Sequence, residues 1–184
     1  SDWDEKGVML YKHLYPRSRM MLNYESGFYV YSSTGFSKIG ESNPVFYSGV
    51  DFDGDLVHEV ALVYEGQGLY KYQNGTFTRL GTGEPLSMSV ADLDGDGKED
   101  LVLTYAGQGL YKYQNGAFTR LGKSEPVSIE IGDLDGDGKD DLVLVYEGQG
   151  LYKYQNGTFT RLGTGEPLSV DVADLDGDGK DDLI

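Results

Sequence analysis

The sequence predicts an all-β fold, and three observations carry the prediction. The 184 residues repeat with a constant period of 41: Asp51, Asp92, Asp133 and Asp174 open four acidic stretches, and Pro44, Pro85, Pro126 and Pro167 hold one position of successive copies. Apolar and polar residues alternate with period two, as in Val127-Ser128-Ile129-Glu130-Ile131, which is strand rather than helix periodicity. Connections between apolar runs are too short for the crossovers that parallel strands require. A period of about 40 residues belongs to propellers and solenoids, where one unit cannot bury its own faces and must pack on its neighbours.

Each element of the unit follows in order. Leu142-Val143-Leu144-Val145-Tyr146 is continuously apolar, as a strand covered on both faces should be. Gly148–Gly150 turns the chain into Leu151-Tyr152-Lys153-Tyr154, and Asn156-Gly157 reads as a two-residue hairpin turn with positive φ at both positions. Phe159–Leu162 closes the unit, Gly163–Pro167 connects, and Leu168-Ser169-Val170-Asp171-Val172 opens the next. Four short strands in such a meander make one propeller blade. Val63–Ser87 and Val145–Ser169 are identical over 25 residues, and Gly27–Tyr31 is a diverged copy of Gly68–Tyr72.

The expected organisation is therefore a β-propeller of about four antiparallel four-stranded blades. Residues 1–20 form an N-terminal extension or partial blade, with a strand over Val8–Leu14. Residues 21–184 form the repeat domain, with units at about 21–45, 46–86, 87–127 and 128–168 and a partial unit at 169–184. Met21–Ile184 spans 164 residues, four periods, so 169–184 can close a ring with 21–45. The alternatives are an excerpt of a larger propeller and completion by a neighbouring copy, a head-to-tail pairing that yields rings or filaments.

Charge is concentrated. The formal net charge is −16, and 19 of the 31 acidic residues lie in the stretches 51–59, 92–100, 133–141 and 174–182, each of which nets −4. The rest of the chain is neutral. This balance excludes a sequence-independent nucleic-acid binder, which needs a basic footprint. The absence of Cys excludes disulfides, thiolate zinc sites and Cys nucleophiles. No apolar run is long enough for a membrane-spanning helix.

The acidic stretches carry the chemistry. Asp92-Leu93-Asp94-Gly95-Asp96-Gly97-Lys98-Glu99-Asp100 places carboxylates at alternate positions of a turning segment, where they converge and repel unless a cation sits among them. All-oxygen ligands in flexible geometry select Ca²⁺ over Mg²⁺. The expected ligands are Asp92, Asp94, Asp96, Asp100 and the Lys98 carbonyl. Their equivalents are Asp133, Asp135, Asp137, Asp141 and Lys139, then Asp174, Asp176, Asp178, Asp182 and Lys180. Glu99, Asp140 and Asp181 are expected to face solvent. The first loop departs from the pattern, with Leu56 for the second Gly, His58 at the eighth position and Glu59 at the ninth. Asp51, Asp53, Asp55 and Glu59 are thus expected to form a fourth, weaker site. These loops are not EF-hands: the twelfth position is Leu103 or Leu144, and the flanks are strands.

On these residues the chain resembles the FG-GAP/VCBS repeats of integrin α-chain-like β-propellers. The stretches Val90–Leu103, Ile131–Leu144 and Val172–Ile184 follow the family's loop pattern, and the resemblance covers residues 21–184. It implies that each loop joins two strands of a blade and binds Ca²⁺ through the acidic residues just named. Two departures are visible: the 41-residue unit is short for the family, and Gly83-Glu84-Pro85 stands near the place of its Phe-Gly/Gly-Ala-Pro signature.

The two histidines, His13 and His58, stand in no triad-like setting, and there is no phosphate-binding Gly-rich loop, so the chain is expected not to be an enzyme. Tyr70 and Tyr72, Tyr111 and Tyr113, and Tyr152 and Tyr154 form a ladder interleaved with Lys71, Lys112 and Lys153. Packing between blades is its ordinary role. The functional alternative is one shallow aromatic site per blade for sugar rings, and the Leu-Tyr-Lys-Tyr strands are similar to those of propeller lectins. Asn74-Gly75-Thr76 and Asn156-Gly157-Thr158 also match glycosylation sequons, although turn chemistry explains both. The expected function is a secreted or cell-surface, calcium-stabilised binding or adhesion module, with a glycan or surface protein as partner. A self-assembling structural subunit joined through open blade edges and the non-catalytic part of a larger secreted enzyme stay open.

Overall fold

The structure is a computed structural model that describes residues 20–32 and 35–184. The strand expected over Val8–Leu14, with His13, and the proposed extension lie outside these residues. Seventeen strands and no helix make up the described chain. The first sheet holds β1 (Met20–Tyr24), β2 (Gly27–Ser32) and β3 (Gly35–Gly40). The second holds β4 (Phe46–Val50), β5 (Glu59–Tyr64), β6 (Gly68–Gln73) and β7 (Thr76–Gly81). The third holds β8 (Ser87–Ala91), β9 (Asp100–Tyr105), β10 (Gly109–Gln114) and β11 (Ala117–Gly122), and the fourth β12 (Ser128–Gly132), β13 (Asp141–Tyr146), β14 (Gly150–Gln155) and β15 (Thr158–Gly163). The fifth holds only β16 (Val172–Ala173) and β17 (Asp182–Leu183).

Each sheet is an antiparallel meander in sequence order. In repeat register, β1–β3 correspond to the second, third and fourth strands of a blade, and β16–β17 to its first and second. These two sheets are separate, and no strand pairing joins them among the described residues. The described blades thus form part of a propeller rather than a closed ring. Of the strand expected over Leu168–Val172 the structure keeps only Val172, in β16, which pairs with Asp182–Leu183.

Why the units stack follows from burial. All six residues of β5, β9 and β13 are buried, so these second strands are covered on both faces. Their alternating side chains face opposite neighbours. Ala61 and Val63 of the second sheet pack with Leu101 and Leu103 of the third, and Val102 and Leu110 of the third with Leu142 and Leu144 of the fourth. Val60 and Leu62 meet Phe28 and Val30 of the first sheet in the same way. First strands β4 and β8, and likewise β12 and β16, lie side by side, as the inner strands of neighbouring blades do. The fourth strands are mostly exposed.

The turns adopt the conformations their sequences demand. Asn74, Asn115 and Asn156 have φ of 50°, 49° and 47°, and the glycines that follow have φ of 84°, 84° and 81°, a type I′ pattern. These hairpins lie at the same end of the blades as the acidic loops, because in an antiparallel meander both follow an odd-numbered strand, the first or the third. Bulges at Leu69/Tyr70, Leu110/Tyr111 and Leu151/Tyr152 recur where the third strand meets the fourth, a device that increases local twist.

Candidate metal centres

The four acidic loops connect the first and second strands of their units. Their backbone is folded around the first aspartate. Asp92 accepts N–H groups from Gly95 (2.8 Å) and Asp96 (3.2 Å) on Oδ1 and from Gly97 (2.9 Å) on Oδ2. Asp133 and Asp174 repeat the arrangement with Gly136 and Gly138, and with Gly177 and Gly179. The fifth residue of each loop, Asp55, Asp96, Asp137 or Asp178, accepts the N–H two residues on, forming an Asx turn that bends the segment inward.

This folding brings the carboxylates together. Oxygens of Asp133, Asp135 and Asp141 lie within 4.8 Å of one another, and so do those of Asp174, Asp176 and Asp182. In the second loop the converging set is Asp92, Asp94 and Asp96. Asp51, Asp53 and Glu59 converge in the first loop. Leu56 there takes φ of 63°, the left-handed conformation that Gly97, Gly138 and Gly179 occupy at 80°, 82° and 86°. The departure in sequence therefore preserves the loop at the cost of backbone strain.

The ninth residues are the most revealing. Asp100 is 2% exposed, and its Oδ2 makes no hydrogen bond; the nearest cation is the Lys112 ammonium at 4.0 Å. Burial, with the charges of Asp94 and Asp92, pushes its pKa up to about 7. Burial likewise raises Asp141 to about 6, and raises Glu59. A buried carboxylate beside other carboxylates, whose Oδ2 accepts no hydrogen bond and has only the Lys112 ammonium at 4.0 Å, fits a cation. The donor set is hard oxygen throughout, as Ca²⁺ and Mg²⁺ prefer.

Two features escaped the sequence. Gln73, Gln114 and Gln155 reach the clusters from the third strands. Gln73 donates to Asp53 (3.1 Å) and Glu59 (2.8 Å), Gln114 to Asp94 (2.6 Å) and Gln155 to Asp141 (2.9 Å). The signal was present, because a Gln precedes every Asn-Gly turn at the acidic end of the blade. The eighth residues are a correction. Glu99, Asp140 and Asp181 do not face solvent: their carboxylates accept the N–H of Asp51 (2.6 Å), Asp92 (2.7 Å) and Asp133 (2.9 Å) in the preceding loop. Lys98, Lys139 and Lys180 lay their stems over Gly54, Gly95 and Gly136 of that same preceding loop.

The tyrosines take part in packing. Tyr70, Tyr111 and Tyr152 meet Tyr64, Tyr105 and Tyr146 edge to face at 5.5–5.9 Å and lie under Arg79, Arg120 and Arg161. Tyr72, Tyr113 and Tyr154 pack against Phe77, Phe118 and Phe159 at 4.7–4.9 Å with the rings tilted by 54–56°. Tyr113 also belongs to the core between the second and third sheets.

Comparison with known proteins agrees with this architecture. Among solved structures, TolB from Acinetobacter baumannii is similar, with a TM-score of 0.50 at 16% identity. The match covers 79% of this chain and 40% of the TolB chain, so the chain spans less than half of TolB's length, and the likeness concerns the fold alone. No curated protein sequence matches the chain. The model of the FG-GAP-like repeat matches three times, over residues 51–103, 92–144 and 133–184, each match running from one acidic loop through the next. With the loops at one end of its stacked blades, the chain has the fold of part of a β-propeller and belongs to the FG-GAP-like repeat family.

Proposed function

We propose that this chain is a non-catalytic binding module whose blades are held in register by Ca²⁺ in the acidic loops. The observation that carries the reading is the buried carboxylate of Asp100, whose Oδ2 accepts no hydrogen bond, near the charges of Asp92 and Asp94 in a loop pattern repeated in the neighbouring units. Asp92, Asp94, Asp96 and Asp100 would hold one ion, and the corresponding residues of the other loops would hold theirs. Bound cations would add positive charge beyond the lysine contacts that the protein itself offers, Lys112 to Asp100 at 4.0 Å and Lys139 to Asp137 at 3.7 Å. Calcium sites in extracellular modules work at millimolar levels, which supports a secreted or cell-surface setting.

A groove beside these loops supports a carbohydrate partner. A cavity of about 330 Å³ opens between the second and third loops, lined by Asp94, Lys112, Lys139, Asp140, Tyr154 and Asn156. Charged donors and acceptors beside one aromatic ring are the groups that orient a sugar. Retention on a glycan array, lost in Tyr154→Ala, checks this assignment.

The metal reading is tested by melting with and without chelator. Each site occupied at a hundredfold excess adds about 2.7 kcal/mol. At roughly 2–4 °C per kcal/mol for a chain of this size, three sites raise Tm by about 15–30 °C. EDTA should remove that gain, Ca²⁺ restore it and Mg²⁺ restore it poorly. An unchanged melt would contradict the reading.

A further inference from the structure

We propose that Glu99, Asp140 and Asp181 are positioning residues that couple each cation site to the next, so that the loops fill cooperatively. The proposal rests on the metal reading above and adds to it a relay between sites. The loops are tied by reciprocal pairs of hydrogen bonds, each between residues 48 apart in sequence. Asp92 N–H donates to the Asp140 carboxylate at 2.7 Å, while Asp140 N–H donates back to the Asp92 carbonyl at 2.9 Å. Glu99 holds Asp51 in the same two-point way at 2.6 and 2.8 Å, and Asp181 holds Asp133 at 2.9 and 2.8 Å.

The residues involved give these clasps their consequence. The gripped residue is always the first of its loop, the aspartate around which the loop backbone is wrapped. The gripping residue always precedes the ninth residue of its own loop: Asp100, Asp141 or Asp182. Asp140 therefore joins Asp92 of one candidate site to Asp141 of the next. A cation that fixes Asp141 also fixes the adjoining Asp140, and through it the backbone position of Asp92. The Lys139 stem over Gly95 reinforces the same junction. Pairwise coupling is reciprocal, so occupation of either site favours its neighbour. The first loop has His58 at the gripping position, and among the described residues the relay begins with Glu99 on Asp51.

Isothermal titration of the chelated protein with CaCl2 tests this, alongside amide hydrogen exchange at Asp92. The wild type should show a Hill coefficient above one. Asp140→Ala should lower the coefficient, weaken binding by about fivefold or more and speed exchange at Asp92 even without metal. Asp140→Asn, whose amide oxygen can still accept the Asp92 N–H, should restore most of both. Glu147→Ala, an exposed turn residue at the opposite end of the blade, controls for the loss of one charge. If Asp140→Ala does not fold, Glu99→Ala makes the same comparison one junction earlier. Wild-type binding with a coefficient of one, or an Asp140→Ala titration matching Glu147→Ala, overturns the coupling and leaves the metal reading standing. A wild type that takes up no calcium overturns both.

Discussion

Replacing Asp100 with Asn should change the sign of its effect on stability according to whether calcium is present. In chelator, the buried side chain has one oxygen that accepts no hydrogen bond, and its folded-state pKa is about 7 against an ordinary value of 3.8. Keeping it ionised at pH 8 costs the folded protein about 4 kcal/mol relative to the unfolded chain. Asn abolishes that cost but leaves a buried amide incompletely paired, worth about 1–3 kcal/mol. The difference favours the variant by roughly 1–3 kcal/mol, or about 2–12 °C in Tm for a chain of this size. In excess Ca²⁺ the same substitution deletes an anionic ligand, and the variant should melt below the wild type. Differential scanning calorimetry at pH 8, in EDTA and in CaCl2, reads both signs. A shift in the same direction under both conditions would refute the claim that Asp100 is a ligand awaiting a cation.

Three further outcomes follow from the same geometry. Asp100 and Asp141 bind protons more tightly folded than unfolded, so the chelated protein should gain stability as pH falls from 8 toward 4 and lose it as pH rises through about 6 and 7; urea midpoints across that window check this, and a midpoint that only rises with pH contradicts it. Thr104 buries an unpartnered Oγ1 where the sister units carry Val63 and Val145, so Thr104→Val should stabilise by about 1–2 kcal/mol in urea unfolding, and a loss would count against the assignment. Leu56→Gly should relieve the strained left-handed residue of the first loop, adding about 1 kcal/mol and tightening calcium there, whereas a lower midpoint would mean that Leu56 is not strained.

Much of this molecule was legible because the repeat reports the same physics several times. The continuous apolar run in Leu142–Tyr146 and the Asn-Gly pairs specified a buried second strand and an I′ hairpin, and the structure has both. The clustering of aspartates at alternate positions likewise anticipated loops in which carboxylates converge. What could not be read was contact between units. Glu99, Asp140 and Asp181 look like spare surface acids because their partners are backbone N–H groups 48 residues away, and backbone donors carry no sequence signal. Gln114 is inconspicuous for a related reason: a Gln beside a turn is ordinary until the hairpin folds it onto Asp94. In the first loop, Leu56 in place of Gly suggested a weaker site, and the surrounding bonds to Asp51 hold the backbone in the glycine-like conformation.

Divalent cations in the acidic loops, locking successive blades together, are the element on which everything else rests. An anomalous difference map from crystals grown in CaCl2 addresses it most directly. Peaks are expected among the carboxylates of loops 92–100, 133–141 and 174–182, with a weaker one in 51–59. A map without density at these positions, with the carboxylates held only by backbone N–H groups, would contradict it.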